Sequence, residues 1–114
     1  MSDEEIYQQI GEIVRKFTLF QCAECAQAVK QWLKENNITG TLLKITPAYG
    51  GLFMVSERWK AGSEAITQNG LHYAIEVRGR VFDNLSTFGL PRNEWIKGFD
   101  CPGSTFKIEE VEQF

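Results

Sequence analysis

The segment Leu71-His72-Tyr73-Ala74-Ile75-Glu76-Val77, followed by Arg78-Gly79 and then Arg80 to Asn84, constrains the fold more than any other stretch of the chain. Apolar and polar residues alternate up to a dipeptide whose glycine can take the positive φ of a tight turn, so the spacing predicts a β-hairpin. Its register decides which side chains share a face. With Arg78 and Gly79 as a two-residue loop, Val77 opposes Arg80 and Ala74 opposes Asp83, which makes His72 and Asp83 diagonal neighbours and turns Asn84 away. A three-residue loop, Arg78 to Arg80, would reverse the parity and bring Asn84 to the histidine's face. The two-residue loop is the preferred expectation.

Helical periodicity precedes this hairpin. Ser2 with Glu5 forms a capping box ahead of a helix expected to run to about Phe17, with Ile6, Ile10, Ile13, Val14 and Phe17 on its apolar side. A second helix is expected from about Cys22 to Asn36, burying Ala26, Val29, Trp32 and Leu33. Thr41 to Ile45 and Leu52 to Val55 read as strands joined by a turn region from Pro47 to Gly51, and Glu57 to Asn69 as a connecting loop or short helix. Pro91 at a first helical position introduces a short helix, Arg92 to Lys97, and Thr105 to Val111 reads as a last strand. Two helices followed by four or five mostly sequential strands predict an α+β fold, N-terminal helices packed on an antiparallel sheet.

A chain of 114 residues fits one domain, 1–114, and 43% hydrophobic residues suffice for a core. The net charge of −3, with no basic cluster longer than Arg15-Lys16, argues against a nucleic-acid partner. Met1-Ser2-Asp3-Glu4-Glu5 is acidic where a signal peptide is basic, so no leader is expected, and no run approaches the roughly 18 apolar residues of a membrane span. Three cysteines cannot complete a disulfide framework within one chain, which points to a cytoplasm, that of the producing cell or of a target cell if the protein is delivered.

The chemistry rests on Cys22, Cys25, Cys101 and the single histidine, His72. Cys22 stands at the start of its helix, where unpaired N–H groups and the macrodipole favour a thiolate. His72 could take its proton, and Asp83 could orient the imidazole, with Asn84 as the named alternative. Cys25, in register with Val29 and Trp32, reads as core, with the nucleophile as its lesser alternative. Gln21, beside Cys22, is a candidate oxyanion donor together with the Cys22 N–H. Trp59, Trp95, Tyr49 and Tyr73 are candidates for an amide pocket, three of the four equally suited to packing. A zinc-stabilised binding module would instead gather Cys22, Cys25, His72 and Cys101 as a Cys3His site, although a second closely spaced ligand pair is missing. No cofactor is expected on the thiol reading.

Phe20-Gln21-Cys22-Ala23-Glu24-Cys25-Ala26, Gly70-Leu71-His72-Tyr73-Ala74 and Val81-Phe82-Asp83-Asn84 together resemble the second papain-fold toxin family of bacterial polymorphic toxin systems, over about Phe17 to Gly98. The resemblance implies a minimal papain-like fold in which the nucleophile helix packs on an antiparallel sheet carrying base and orienter. It implies Cys22 as nucleophile, His72 as base facing Cys22 across the helix–sheet junction, and Asp83 as orienter. The expected activity is a thiol hydrolase or transferase acting on an amide: a peptidase, a glutamine deamidase or a transglutaminase. The expected partners are a protein or peptide substrate and, for a toxin, a cognate immunity protein. A degenerate, non-catalytic interaction module is the alternative within the same fold.

Overall fold

The computed structural model of the chain describes residues 1–50, 54–67, 69–101, 103 and 105–114. Helix α1, Asp3–Val14, opens with the Ser2–Glu5 capping box, and three acidic residues in its first turn complement the dipole. It ends short of Phe17, because the Lys16 and Phe17 N–H groups fold back onto the carbonyls of Ile13 and Val14, tightening the last turn out of α geometry. Phe17 still packs against the core. Helix α2, Cys22–Glu35, is followed by Asn36 as its cap and by Asn37 with φ +57°, the left-handed residue that turns the chain away.

The sheet follows. Strand β1 is Thr41–Pro47, longer than expected because Pro47 remains paired, with Phe106. Strand β3, His72–Val77, and β4, Arg80–Asp83, form the hairpin in the two-residue register, Val77 opposite Arg80. Strand β5, Ser86–Leu90, is one the sequence reading did not find, and β7 is Phe106–Gln113, displaced from the expected Thr105 to Val111. These run antiparallel in the order β5-β4-β3-β1-β7. Of the expected strand Leu52 to Val55, residues 52 and 53 lie outside the described residues. Val55–Ser56 forms β2, which pairs with β6, Phe99–Asp100, and not with β1. Both sides of β1 are already occupied, by β3 and β7. A single 3-10 turn at Lys60–Gly62 interrupts the connection expected to be a loop or short helix. Pro91, with ψ 147°, caps helix α3, Arg92–Lys97, from outside rather than opening it as the first helical residue.

Alternation divides the interior between the two faces of the sheet. On one face Ile6, Ile10 and Val14 of α1 and Cys25, Val29 and Leu33 of α2 meet Leu42, Ile75, Val77 and Phe82. On the other, Leu43, Ile45, Ala74 and Val81 meet Trp95 of α3, Phe99, Met54 and Ile66. Arg92 ties α3 to the sheet through both carboxylate oxygens of Glu76 and one of Glu110. Among the described residues no helix is long and apolar enough to cross a membrane.

Candidate active site

His72 is the first residue of β3 and shares the parity of Ala74, so its ring belongs to the face of Trp95 and Phe99, whose centroids lie 6.5 and 5.3 Å away. From there it interacts with Cys22 at the start of α2, across the helix–sheet junction. Its position at the very start of the strand brings it near Cys22. The side chain is at the sheet's rim, where α2 begins, and not in the middle of a face.

Asp83, the last residue of β4, lies on the same face, as the hairpin register requires. His72 Nε2 donates to Asp83 Oδ2 at 2.8 Å, with both side chains buried. Trp95 Nε1 donates to the same oxygen at 2.9 Å, and the Leu85 N–H donates to Oδ1 at 2.9 Å. A carboxylate with three donors is held as an acceptor in one orientation. Burial pushes its pKa up, but the hydrogen bond and charge of His72, the Trp95 N–H and the Arg58 charge outweigh burial and bring it down to about 2.

Nδ1 is the ring nitrogen left over, and it is buried without an aligned hydrogen bond. Burial alone would lower the imidazole pKa, but Asp83 first and Cys22 second raise it to about 9. The Cys22 thiol is shifted the other way. Burial raises it, yet hydrogen bonding to His72, the His72 charge and the Tyr73 backbone N–H together bring it below the ordinary thiol value, against a smaller opposing effect of Asp83. The two groups thus shift in opposite directions, each favouring the charged form of the other, with Asp83 the larger cause at His72.

Cys22 is partly exposed and is the first residue of α2. The helix has no side-chain cap, and its first internal bond at this end is from the Cys25 N–H to the Gln21 carbonyl. The N–H groups of Cys22, Ala23 and Glu24 are therefore without backbone acceptors, as helix geometry dictates for the opening turn. The preceding residue pair sets this entry. Phe20 has φ +68°, an uncommon conformation for a bulky side chain, and Gln21 Oε1 accepts from both the N–H and the hydroxyl of Thr18. Gln21 is thus a lock on the helix entry, and its amide oxygen is committed away from the thiol.

Beside Cys22 lies a cleft of about 220 Å³ walled by Phe20, Ala23, Glu24, Ile66, Thr67, Asn69, Leu71 and Tyr73. Its far wall is stiffened by two turns, Gly70 N–H to the Thr67 hydroxyl at 3.0 Å and Leu71 N–H to Asn69 Oδ1 at 3.1 Å. Of the four aromatic candidates only Tyr73 reaches this cleft. Trp95 is fully buried and serves Asp83, Trp59 packs on the same cluster as Trp95, and Tyr49 is 81% exposed elsewhere.

The remaining candidates separate. Asn84 Nδ2 donates to the Thr18 carbonyl at 2.9 Å, pinning the α1–α2 link to the hairpin end and leaving Asp83 alone beside His72. Cys25 is buried among the helix-side residues, and burial pushes its thiol up to about 12. Cys101 is also buried, its thiol directed at the Thr105 carbonyl. The zinc alternative built on Cys22, Cys25, His72 and Cys101 is corrected, because these side chains do not form a metal-holding group. Among the described residues, no three His, Cys, Asp or Glu side chains converge to hold a metal. Trp95, read from the sequence as a pocket or packing aromatic, instead donates to Asp83. Its spacing after Pro91 marks a helix but carries no sign that the indole N–H would meet a residue of β4.

A family model described as Papain fold toxin 2 matches residues 5–100 of the chain. No curated protein and no solved structure matches it.

Proposed function

The chain belongs to the papain fold toxin 2 family, and on that premise we propose that it is a papain-like cysteine enzyme attacking an amide bond. The observation that carries this is the buried His72 Nε2–Asp83 Oδ2 hydrogen bond of 2.8 Å beside Cys22 at the uncapped start of α2; the thiol shifted down and the imidazole up are in keeping with it. In the proposed mechanism His72 Nδ1 holds the proton of Cys22, and the thiolate adds to the substrate carbonyl. The N–H of Cys22, with those of Ala23 and Glu24 next to it, receives the developing oxyanion. Asp83 keeps Nε2 protonated and aimed, so that Nδ1 is the nitrogen that delivers the proton to the leaving amine. Water or a second amine then releases the thioester.

Peptide cleavage, glutamine deamidation and transglutamination share these steps and differ in what the 220 Å³ cleft admits. On the family's pattern the substrate is a protein or peptide, the whole chain acts as one domain, and the activity is that of a toxin restrained by an immunity protein. A target cell's cytoplasm is then the place of action.

The experiment is labelling with a thiol-directed electrophile from pH 4 to 10. We expect Cys22 to react with an apparent pKa below the free-thiol value of about 8.5. Cys22→Ser should abolish the fast phase, Cys25→Ser should leave it intact, and His72→Ala should move it back toward a free thiol's pH dependence. Equal, slow labelling of Cys22 and Cys101 would instead mark a non-catalytic member of the family.

A further inference from the structure

A second cavity, of about 300 Å³, opens along the flank of α2 and shares Ala23 and Tyr73 as walls with the Cys22 cleft. Ala26 and Leu42 contribute nearly buried apolar surface to it, and Gln27 and Val111 stand exposed at its sides. Val111 is there because β7 carries a β-bulge. Leu42 pairs with Glu112 and Leu43 with Glu110, which leaves Val111 as the extra residue. Both bulge residues reach toward α2, Glu112 to pair with Lys30 and Val111 to wall the cavity, where it remains 49% exposed. Bulges re-aim side chains in this way beside active sites. None of the described residues lining the cavity is charged, and Lys30 and Lys44 on the same face are paired with Glu112 and Glu109.

On the reading of Cys22 as the nucleophile, we propose that this cavity binds an aliphatic side chain of a polypeptide substrate, two residues before the carbonyl that Cys22 attacks. From Cys22 to Ala26 the helix rises about 6 Å, and two residues of an extended chain span about 7 Å. Side chains two apart in an extended chain point the same way, so one enters the Cys22 cleft as the other enters this cavity. The leaving amine must lie against His72, whose ring belongs to the opposite face of the sheet with Trp95 and Phe99. The part of the substrate that runs along α2 is therefore the acyl part. With no charged wall, the cavity favours a leucine-sized side chain and disfavours an acidic or basic one, whose hydration it cannot replace. A small free amide would fill only the first cavity, so the substrate class is a polypeptide.

The test is the rate at which tripeptide vinyl sulfones label Cys22 in the full chain, their reacting carbon occupying the place of the substrate carbonyl carbon. Acetyl-Leu-Ala-Ala vinyl sulfone should label at least about tenfold faster than acetyl-Asp-Ala-Ala vinyl sulfone, as for burial of a leucine side chain. It should also outpace acetyl-Ala-Leu-Ala vinyl sulfone, whose leucine is one residue out of register. Val111→Asp should bring the ratio of the leucine to the aspartate probe down to about one, as a charge enters the cavity wall. Val111→Thr keeps the shape and strand propensity and should lower that ratio about threefold. Each ratio is taken within one variant, so partial unfolding does not alter it. Iodoacetamide, which carries no peptide, reports Cys22 by itself. A fast iodoacetamide phase with equal rates for all the peptides overturns the subsite and leaves the nucleophile standing, whereas absence of the fast phase overturns both. Faster labelling by acetyl-Ala-Leu-Ala vinyl sulfone, or a leucine preference that survives both Val111 variants, also overturns the proposal.

Discussion

Asp83 Oδ2 accepts from two donors that arrive from different parts of the chain, His72 on the neighbouring strand and Trp95 on α3. Neither donor alone would fix the carboxylate. With both, and with the Leu85 N–H on Oδ1, rotation of Asp83 would break three bonds in a buried site, so the imidazole is held in one orientation. Asp83→Asn keeps the shape and removes the charge, and an amide can orient its NH2 toward the imidazole and select the wrong tautomer. We expect the His72 pKa, followed by NMR, to fall from about 9 toward the ordinary value of about 6.5. Cys22 labelling at pH 6 to 7 should slow by at least about tenfold, since one unit of pKa is a factor of 10.

The same shifts set the pH dependence of stability. His72, raised on folding, stabilises the fold fully below about 6.5, and that contribution is lost as pH rises through about 9. Asp83, depressed on folding, contributes above about 3.9 and loses that contribution as pH falls toward about 2. Urea midpoints should therefore fall on the acid side as Asp83 protonates and on the alkaline side as His72 loses its proton, the lowered Cys22 thiol offsetting part of the alkaline loss, and His72→Gln should remove that alkaline decline.

At the scale of elements, the hairpin turn carries the register on which the site depends. Both of its loop residues are left-handed, Arg78 at φ +50° and Gly79 at +84°, the backbone of a type I′ turn. Arginine is unusual there, and two contacts hold it. The Tyr7 hydroxyl donates to the Arg78 carbonyl at 2.6 Å, and the guanidinium pairs with Asp3, so α1 clamps the turn from both ends of its first two turns. Gly89 illustrates a different demand. It sits in β5 with φ +74°, and a Cβ there would lie 2.5 Å from the Phe82 ring, whereas a Cβ on Gly79 would meet nothing. Gly79→Ala should cost only the backbone term, about 1 kcal/mol. Gly89→Ala adds overpacking of a further 1–3 kcal/mol, roughly. Urea denaturation of the two variants should show the larger loss at Gly89.

At the scale of the molecule, the sheet separates two interiors with different duties. The helix-side interior anchors α2 and therefore Cys22. The other, around Trp95 and Phe99, encloses His72 and Asp83. Leu33 is fully buried in the first, well away in sequence from the opening turn of α2. Leu33→Ala should lower stability by about 2–5 kcal/mol in a urea titration. The labelling rate of Cys22 in the folded fraction should stay within about twofold of wild type, because the Asp83–His72 pair lies in the other interior.

The sequence by itself determined what depends on neighbours along the chain. The capping box, the apolar periods of α1 and α2, the hairpin and its two-residue loop are all local, and the loop's parity already set Asp83 beside His72 and turned Asn84 away. It did not reveal β5, because Gly89 reads as a strand breaker until the Phe82 ring beside it is seen. Nor could it show the Trp95 bond to Asp83, the contact of the Cys101 thiol with the Thr105 carbonyl, or the placing of β7 beside β1. Those were decided by tertiary structure. The Trp95 bond and the placing of β7 are meetings of segments distant in sequence, fixed by which apolar faces bury one another, and no local periodicity records such a choice.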